Sequence, residues 1–158
     1  MSLLHRIKHA GDAVNWRSDM PTRGRYTVGI AGERFFREIM ENGRFMATAC
    51  SDCEITYMPP RLYCEQCFAQ LDDWVEVDLV GHVHTFTVLH QNLDEEPLPK
   101  PRIIAFVHLD DTDGGLVHNL DEVEPEEVYL GMPVEAVFRE KDERRGSITD
   151  IKYFRPVS

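Results

Sequence analysis

Four cysteines, Cys50, Cys53, Cys64 and Cys67, stand in two C-x-x-C knuckles separated by ten residues, and the chain has no others. A C-x-x-C turn aims two sulfurs at one centre, so two such turns supply a closed tetrahedral S4 site. Four thiolates leave no open position for water or substrate, which makes a bound metal structural. Zinc is the first choice; iron in a rubredoxin-like site uses the same ligands. Two disulfides are disfavoured, since adjacent C-x-x-C pairs are poor staples and nothing marks the chain as secreted. A thioredoxin-like redox pair needs only one such motif and an alternating strand–helix pattern.

If the metal takes every thiol, none remains as a nucleophile activated by a base. No G-x-S-x-G elbow, P-loop or dinucleotide fingerprint is present. His82, His84 and His90 lie close together on one extended stretch, yet strand histidines without neighbouring ligands are usually surface or half-buried residues. Catalysis is therefore not expected of this chain. Arg61, Lys100 and Arg102 are the only Lys/Arg between residues 49 and 138. Cations in so acidic a stretch are candidates for an anionic ligand or a partner's carboxylates, with internal ion pairing as the plainer alternative.

Charge is uneven. Residues 1–48 hold eight Lys/Arg against five Asp/Glu, and residues 49–158 hold nine against 23, within a formal net charge of -11. An acidic body argues against a nucleic-acid backbone as ligand. No apolar run approaches the ~18 residues of a membrane span. The start, Met1 to His9, lacks an uninterrupted apolar core and a cleavage site. The chain reads as cytoplasmic, with its thiols reduced.

Several elements must position these groups. Residues 2–16 carry a modest helical rhythm, and residues 18–29 read as an irregular arm. Residues 32–42 form a better helix, with Phe35, Phe36, Ile39 and Met40 as its apolar stripe, Glu33 in its first turn and Gly43 as its stop. Between the knuckles, Ile55–Met58 reads as a short strand and Pro59-Pro60-Arg61 turns the chain back, which is a zinc-ribbon layout. From Trp74 the period becomes two. Trp74–Leu79 is a strand ended by Gly81. His82–Gln91 alternates, with Val83, Thr85, Thr87 and Leu89 on one face and His84, Phe86, Val88 and His90 on the other. Further strands are expected over 102–109, 116–120, 134–138 and 148–154, with a helical turn at 124–128. This suggests a mainly β chain: a helix, a rubredoxin-like zinc ribbon, then a small closed barrel of the OB type. The expected division is an arm at 1–30, helix plus ribbon at 31–72 and barrel at 73–158.

That order of parts resembles the acyl-CoA-associated family in which a rubredoxin-like zinc ribbon precedes an OB-fold. Phe35-Phe36 to Gly43, the two knuckles with Pro59-Pro60-Arg61, Trp74, Gly81 and Phe86-Thr87 carry the likeness. Ile104–Val107, Gly131–Val134 and Phe154-Arg155-Pro156 complete it. The resemblance implies a non-catalytic accessory subunit that joins a thiolase-like catalytic subunit in a hetero-oligomer and helps hold a CoA thioester. Within the family the chain is most similar to small subunits of two-component thiolases for aromatic acyl-CoA, such as benzoylsuccinyl-CoA in anaerobic toluene degradation. Arg61, Lys100 and Arg102 are then candidates for the CoA phosphates or the partner, and Phe86 for the acyl or pantetheine part. A nucleic-acid-binding OB module with a zinc ribbon and a rubredoxin-like electron carrier are the competing readings.

Overall fold

The computed structural model describes residues 27–157; the helical rhythm expected at 2–16 and nearly all of the 1–30 arm lie outside them. Helix α1 runs Gly29–Asn42 and ends where Gly43 turns left-handed (φ 64°), its N–H returning to the Ile39 carbonyl at 3.1 Å. The helix starts three residues earlier than its apolar stripe indicates. Glu33 is thus outside the first turn and instead pairs with Arg37 one turn on. Phe35 and Ile39 are buried, while Phe36 and Met40 are only partly covered.

Strand β1, Phe45–Cys50, is the centre of a three-stranded antiparallel sheet between β2, Ile55–Tyr57, and β3, Asp73–Val77. The sequence offers little sign of β1. Five of its six residues are buried, so both faces are covered and the alternation that reveals a half-exposed strand is missing. Strand β3 also departs from expectation. It pairs with β1, Thr48 opposite Trp74, and so extends the ribbon's sheet although it lies in the stretch expected to be barrel.

The remaining strands are β4 (Val80–Gln91), β5 (Pro97–Leu109), β6 (Gly115–Leu120), β7 (Pro133–Phe138) and β8 (Ile151–Pro156). They close on themselves in the order β4-β5-β6-β8-β7, with β7 pairing back to β4. Gly81 does not end a strand; it lies within β4, opposite Leu109. A register shift between Val83 and Thr85 changes the faces of β4. The extra residue at His84 rotates the rest of the strand, so Phe86 and Val88 join Val83 on the core side, while Thr85, Thr87 and Leu89 face outward. Simple alternation puts Val83 on the opposite face from Phe86. The weakest seam is β6–β8, where the parallel ladder has one pair, Leu120 opposite Phe154.

One core joins these parts. Phe35, Ile39, Phe45, Val77, Val107 and Phe154 belong to a single buried cluster, and Phe36 and Phe138 pack against it. A much smaller cluster sits under the knuckles: Cys50, Tyr57, Cys64 and Leu71. The turn after β5 locks the ribbon to the barrel. Asp113 donates its N–H to the Thr56 carbonyl (2.8 Å) and accepts one from Thr56 on its carboxylate (2.8 Å), and the Gly115 N–H reaches the Met58 carbonyl at 3.0 Å. A Cβ on Gly114 would stand 2.0 Å from that same carbonyl oxygen, so only glycine permits this approach.

Candidate functional site

Each knuckle is placed by local hydrogen bonds. The first is the turn joining β1 to β2, with Cys50 ending β1. The second lies in a tight loop closed by Leu71 N–H to Leu62 O (2.8 Å), Cys64 N–H to Ala69 O (2.9 Å) and Phe68 N–H to Cys64 O (3.0 Å). The residue after each second cysteine, Glu54 (φ 56°) and Phe68 (φ 60°), is left-handed. Both turns therefore reverse the chain sharply enough to bring paired sulfurs together.

The four Sγ atoms lie within 4.8 Å of one another, and those of Cys50 and Cys67 are 3.6 Å apart. A Zn–S bond of ~2.3 Å gives a tetrahedral S···S edge of about 3.8 Å. The donor set thus fits a divalent ion with little adjustment, and the cysteines are placed to hold one. Cys50 and Cys64 are buried, Cys53 is half-buried and Cys67 is exposed, so the centre lies under one side of the ribbon.

The electrostatics point the same way. The Tyr57 hydroxyl donates to Cys64 Sγ at 3.2 Å and accepts from the Glu65 N–H at 3.2 Å. That bond, with backbone N–H groups behind it, brings the Cys64 thiol down to about 6. Its hydrogen bond to Cys67, and then burial, push Cys53 up to about 12. Burial raises Cys50. Crowded thiols compete for a single negative charge, and a cation at their centre removes that competition. Tyr57 escapes a reading based on spacing because it is no ligand; its place two residues before the Pro59-Pro60 turn is the only cue. Removing a group that orients a metal ligand typically costs 10–100-fold in metal affinity. Tyr57→Phe is expected to weaken zinc binding by about that factor, measured by competition with a chromophoric chelator.

The histidines form no such centre. His82 and His108 stack at 5.1 Å between ring centroids, and His84 lies 6.4 Å from His108. Among the described residues only the four cysteines converge as a group of metal ligands.

The other candidate residues separate. Arg61 lies beside the knuckles, paired with Glu65 and 5.1 Å from the Tyr57 ring centroid. Phe86 packs against the barrel core, as most strand aromatics do. Lys100 and Arg102 line one cleft at the β6–β8 seam, together with Lys152 of β8. Lys152 could not be singled out from sequence, because it comes from a strand about fifty residues further on. No helix among the described residues is long and apolar enough to cross a membrane.

Comparison with known proteins agrees with this layout. Residues 37–72 match the family described as the ChsH2 rubredoxin-like zinc ribbon domain, and residues 74–139 match the ChsH2 C-terminal OB-fold domain. The chain is 30% identical over 127 residues to a DUF35 domain-containing scaffold protein of Methanocaldococcus jannaschii, covering 78% of this chain and 89% of that one. It is 30% identical over 109 residues to a protein of Thermomonospora curvata described as a probable enoyl-CoA hydratase alpha subunit. That match covers 68% of this chain but only 33% of the relative. Among solved structures, the Ltp2-ChsH2(DUF35) aldolase aligns with a TM-score of 0.61 and 26% identity, over 84% of this chain and 98% of the other. A DUF35 protein of Sulfolobus solfataricus, at 24% identity and TM-score 0.62 over 81% of this chain and 84% of that one, shows the same fold.

Proposed function

The chain belongs to the DUF35 family, with a ChsH2-type zinc ribbon and OB-fold, and from that premise we propose that it is the non-catalytic scaffold subunit of an acyl-CoA enzyme. The observation that carries the proposal is the gathering of all four cysteines of the chain at one point. With Cys50, Cys53, Cys64 and Cys67 committed to a structural zinc, no thiol is left for acyl transfer. The reacting cysteine belongs to the partner.

The relatives support this reading in three ways. One is named a scaffold protein, one a probable enoyl-CoA hydratase alpha subunit, and one solved structure is the Ltp2-ChsH2(DUF35) aldolase. Within that range we assign the partner as a thiolase-like subunit, and the substrate as an aromatic acyl-CoA of the benzoylsuccinyl-CoA type. The assignment rests on the sequence resemblance. The setting is the cytoplasm, where thiols stay reduced and available to zinc. Helix and ribbon, 31–72, serve assembly, and the barrel, 73–158, faces the thioester; Arg61, Phe86, Lys100 and Arg102 are the residues offered to CoA or the partner.

The test is recovery of the tagged chain from native extract, with identification of the proteins and ligands that accompany it. A larger subunit with its own cysteine nucleophile and a bound CoA thioester is expected, and the isolated chain should show no thiolysis. Turnover by the isolated chain would falsify the scaffold assignment.

A further inference from the structure

We infer that the cleft at the β6–β8 seam is a binding site for a phosphate monoester, held by Lys100, Arg102 and Lys152. Charge singles the cleft out first. The chain carries 28 Asp/Glu and 17 Lys/Arg, and between residues 49 and 138 it has only three cations. Two of those three line this one cleft, and β8 adds a third cation from far along the chain. Among the described residues neither Arg102 nor Lys152 has a carboxylate within ion-pair distance, although carboxylates are plentiful. Lys100 alone is engaged, by Glu124 at 3.6 Å with both side chains largely exposed, a pairing weak enough for an anion to displace.

The geometry agrees. The seam has a single β6–β8 pair, so few backbone bonds close the barrel wall beside the cleft. Lys100 and Arg102 are two residues apart on β5 and share its outer face. Asn119 on β6 accepts from the Arg102 guanidinium at 2.9 Å, which steadies the group and leaves its other N–H donors open. Barrels of this connectivity bind ligands on the face of their second and third strands, here β5 and β6. The cleft is about 260 Å3, below the ~300–1,000 Å3 that encloses a drug-sized ligand. It therefore encloses a phosphate group, and the rest of a nucleotide would lie along its open mouth. Asp121 also lines it and Glu124 reaches Lys100 from its rim; three cations against two carboxylates still favour an anion. The site deepens the acyl-CoA part of the proposed function and rests on that reading for its natural ligand, since the thioester carries a phosphate monoester at its nucleotide end.

The experiment uses the full chain and two probes, adenosine 3′,5′-bisphosphate and inorganic phosphate, each titrated by calorimetry at low salt. Saturable binding that weakens with salt is expected, tighter for the bisphosphate. R102Q and K152A should each weaken it by about tenfold or more, and K152R should retain most of it. Equal affinity for inorganic phosphate would identify the ligand as free phosphate in the same cleft. All three side chains lie at the surface, so near-ultraviolet circular dichroism should be unchanged in the variants. The inference is overturned by absence of binding, or by binding that R102Q and K152A leave intact. Neither result touches recovery of the partner subunit, so failure of the cleft and failure of the scaffold assignment are told apart.

Discussion

Cys64→Ser is expected to yield a chain that carries no stoichiometric metal and has a melted ribbon above an intact barrel. Cys64 is 1% exposed, and its Sγ faces both the other cysteines and Tyr57. The cluster beneath the knuckles contains only Tyr57 and Leu71 besides cysteines, with Ile55 at its margin. Burial of two large side chains stabilises by ~1.5–3 kcal/mol each, too small a core to hold both knuckle loops in one arrangement without the ion. A structural zinc contributes about 10–16 kcal/mol, so the metal decides whether the ribbon folds. Three readings check this: metal per chain by atomic emission, amide exchange in β2 and in the loop from Leu62 to Leu71, and retention of the partner subunit. All three should fall together, and a strong chelator should reproduce the effect on the native chain. Acid should do so too. The ligands are thiolates that take up protons when the ion leaves, so lowering the pH favours release and raising it favours binding. Native amide protection in a metal-free variant would show that packing alone holds the ribbon. A variant that kept its partner but lost turnover of the complex would instead tie the metal to chemistry and refute the scaffold role.

An element is legible in the sequence where local pattern and tertiary context agree. The knuckles are legible because metal ligation imposes a spacing that survives any fold, and the spacing leads to a converged set of sulfurs. Gly43 is legible because the left-handed stop of a helix is a local demand met by few residues. Strand β1 is not, since burial on both faces erases its period. The faces of β4 reverse beyond Val83 because a bulge adds a residue that no alternation rule can count. Strand β3 keeps its period but not its partner: Trp74 and its neighbours alternate equally well whether they pair with the ribbon or the barrel, and only β1 decides. The cation cleft is half legible. Lys100 and Arg102 stand out against an acidic background, while Lys152 needs the closure of the barrel to bring β8 beside β6.

Phe45→Ala should be the most damaging single substitution that leaves the metal in place. Phe45 is fully buried and opens β1. Its ring stacks on Phe35 of α1 at 6.0 Å and meets Phe138 of β7 edge-on at 5.3 Å. One side chain thus touches helix, ribbon sheet and barrel, and truncating it opens a cavity where the three meet. Core Phe→Ala changes cost ~3–5 kcal/mol, a large share of the ~5–15 kcal/mol that holds a domain. With a urea dependence of ~1–3 kcal/mol per molar, the midpoint should fall by roughly 2 M. The knuckles lie at the other end of β1, and their sulfurs do not depend on this ring, so metal content should stay native. That pairing of outcomes separates the two supports of the ribbon. Cys64→Ser removes the ion and melts the ribbon while the barrel stands; Phe45→Ala keeps the ion and loosens the attachment of α1 and the ribbon to the barrel. A midpoint shift well below 1 M would mean that α1 is not docked on β1 and β7 as described. Loss of metal from Phe45→Ala would mean that the knuckles need the barrel core to form, and that ribbon and barrel fold as a single cooperative unit.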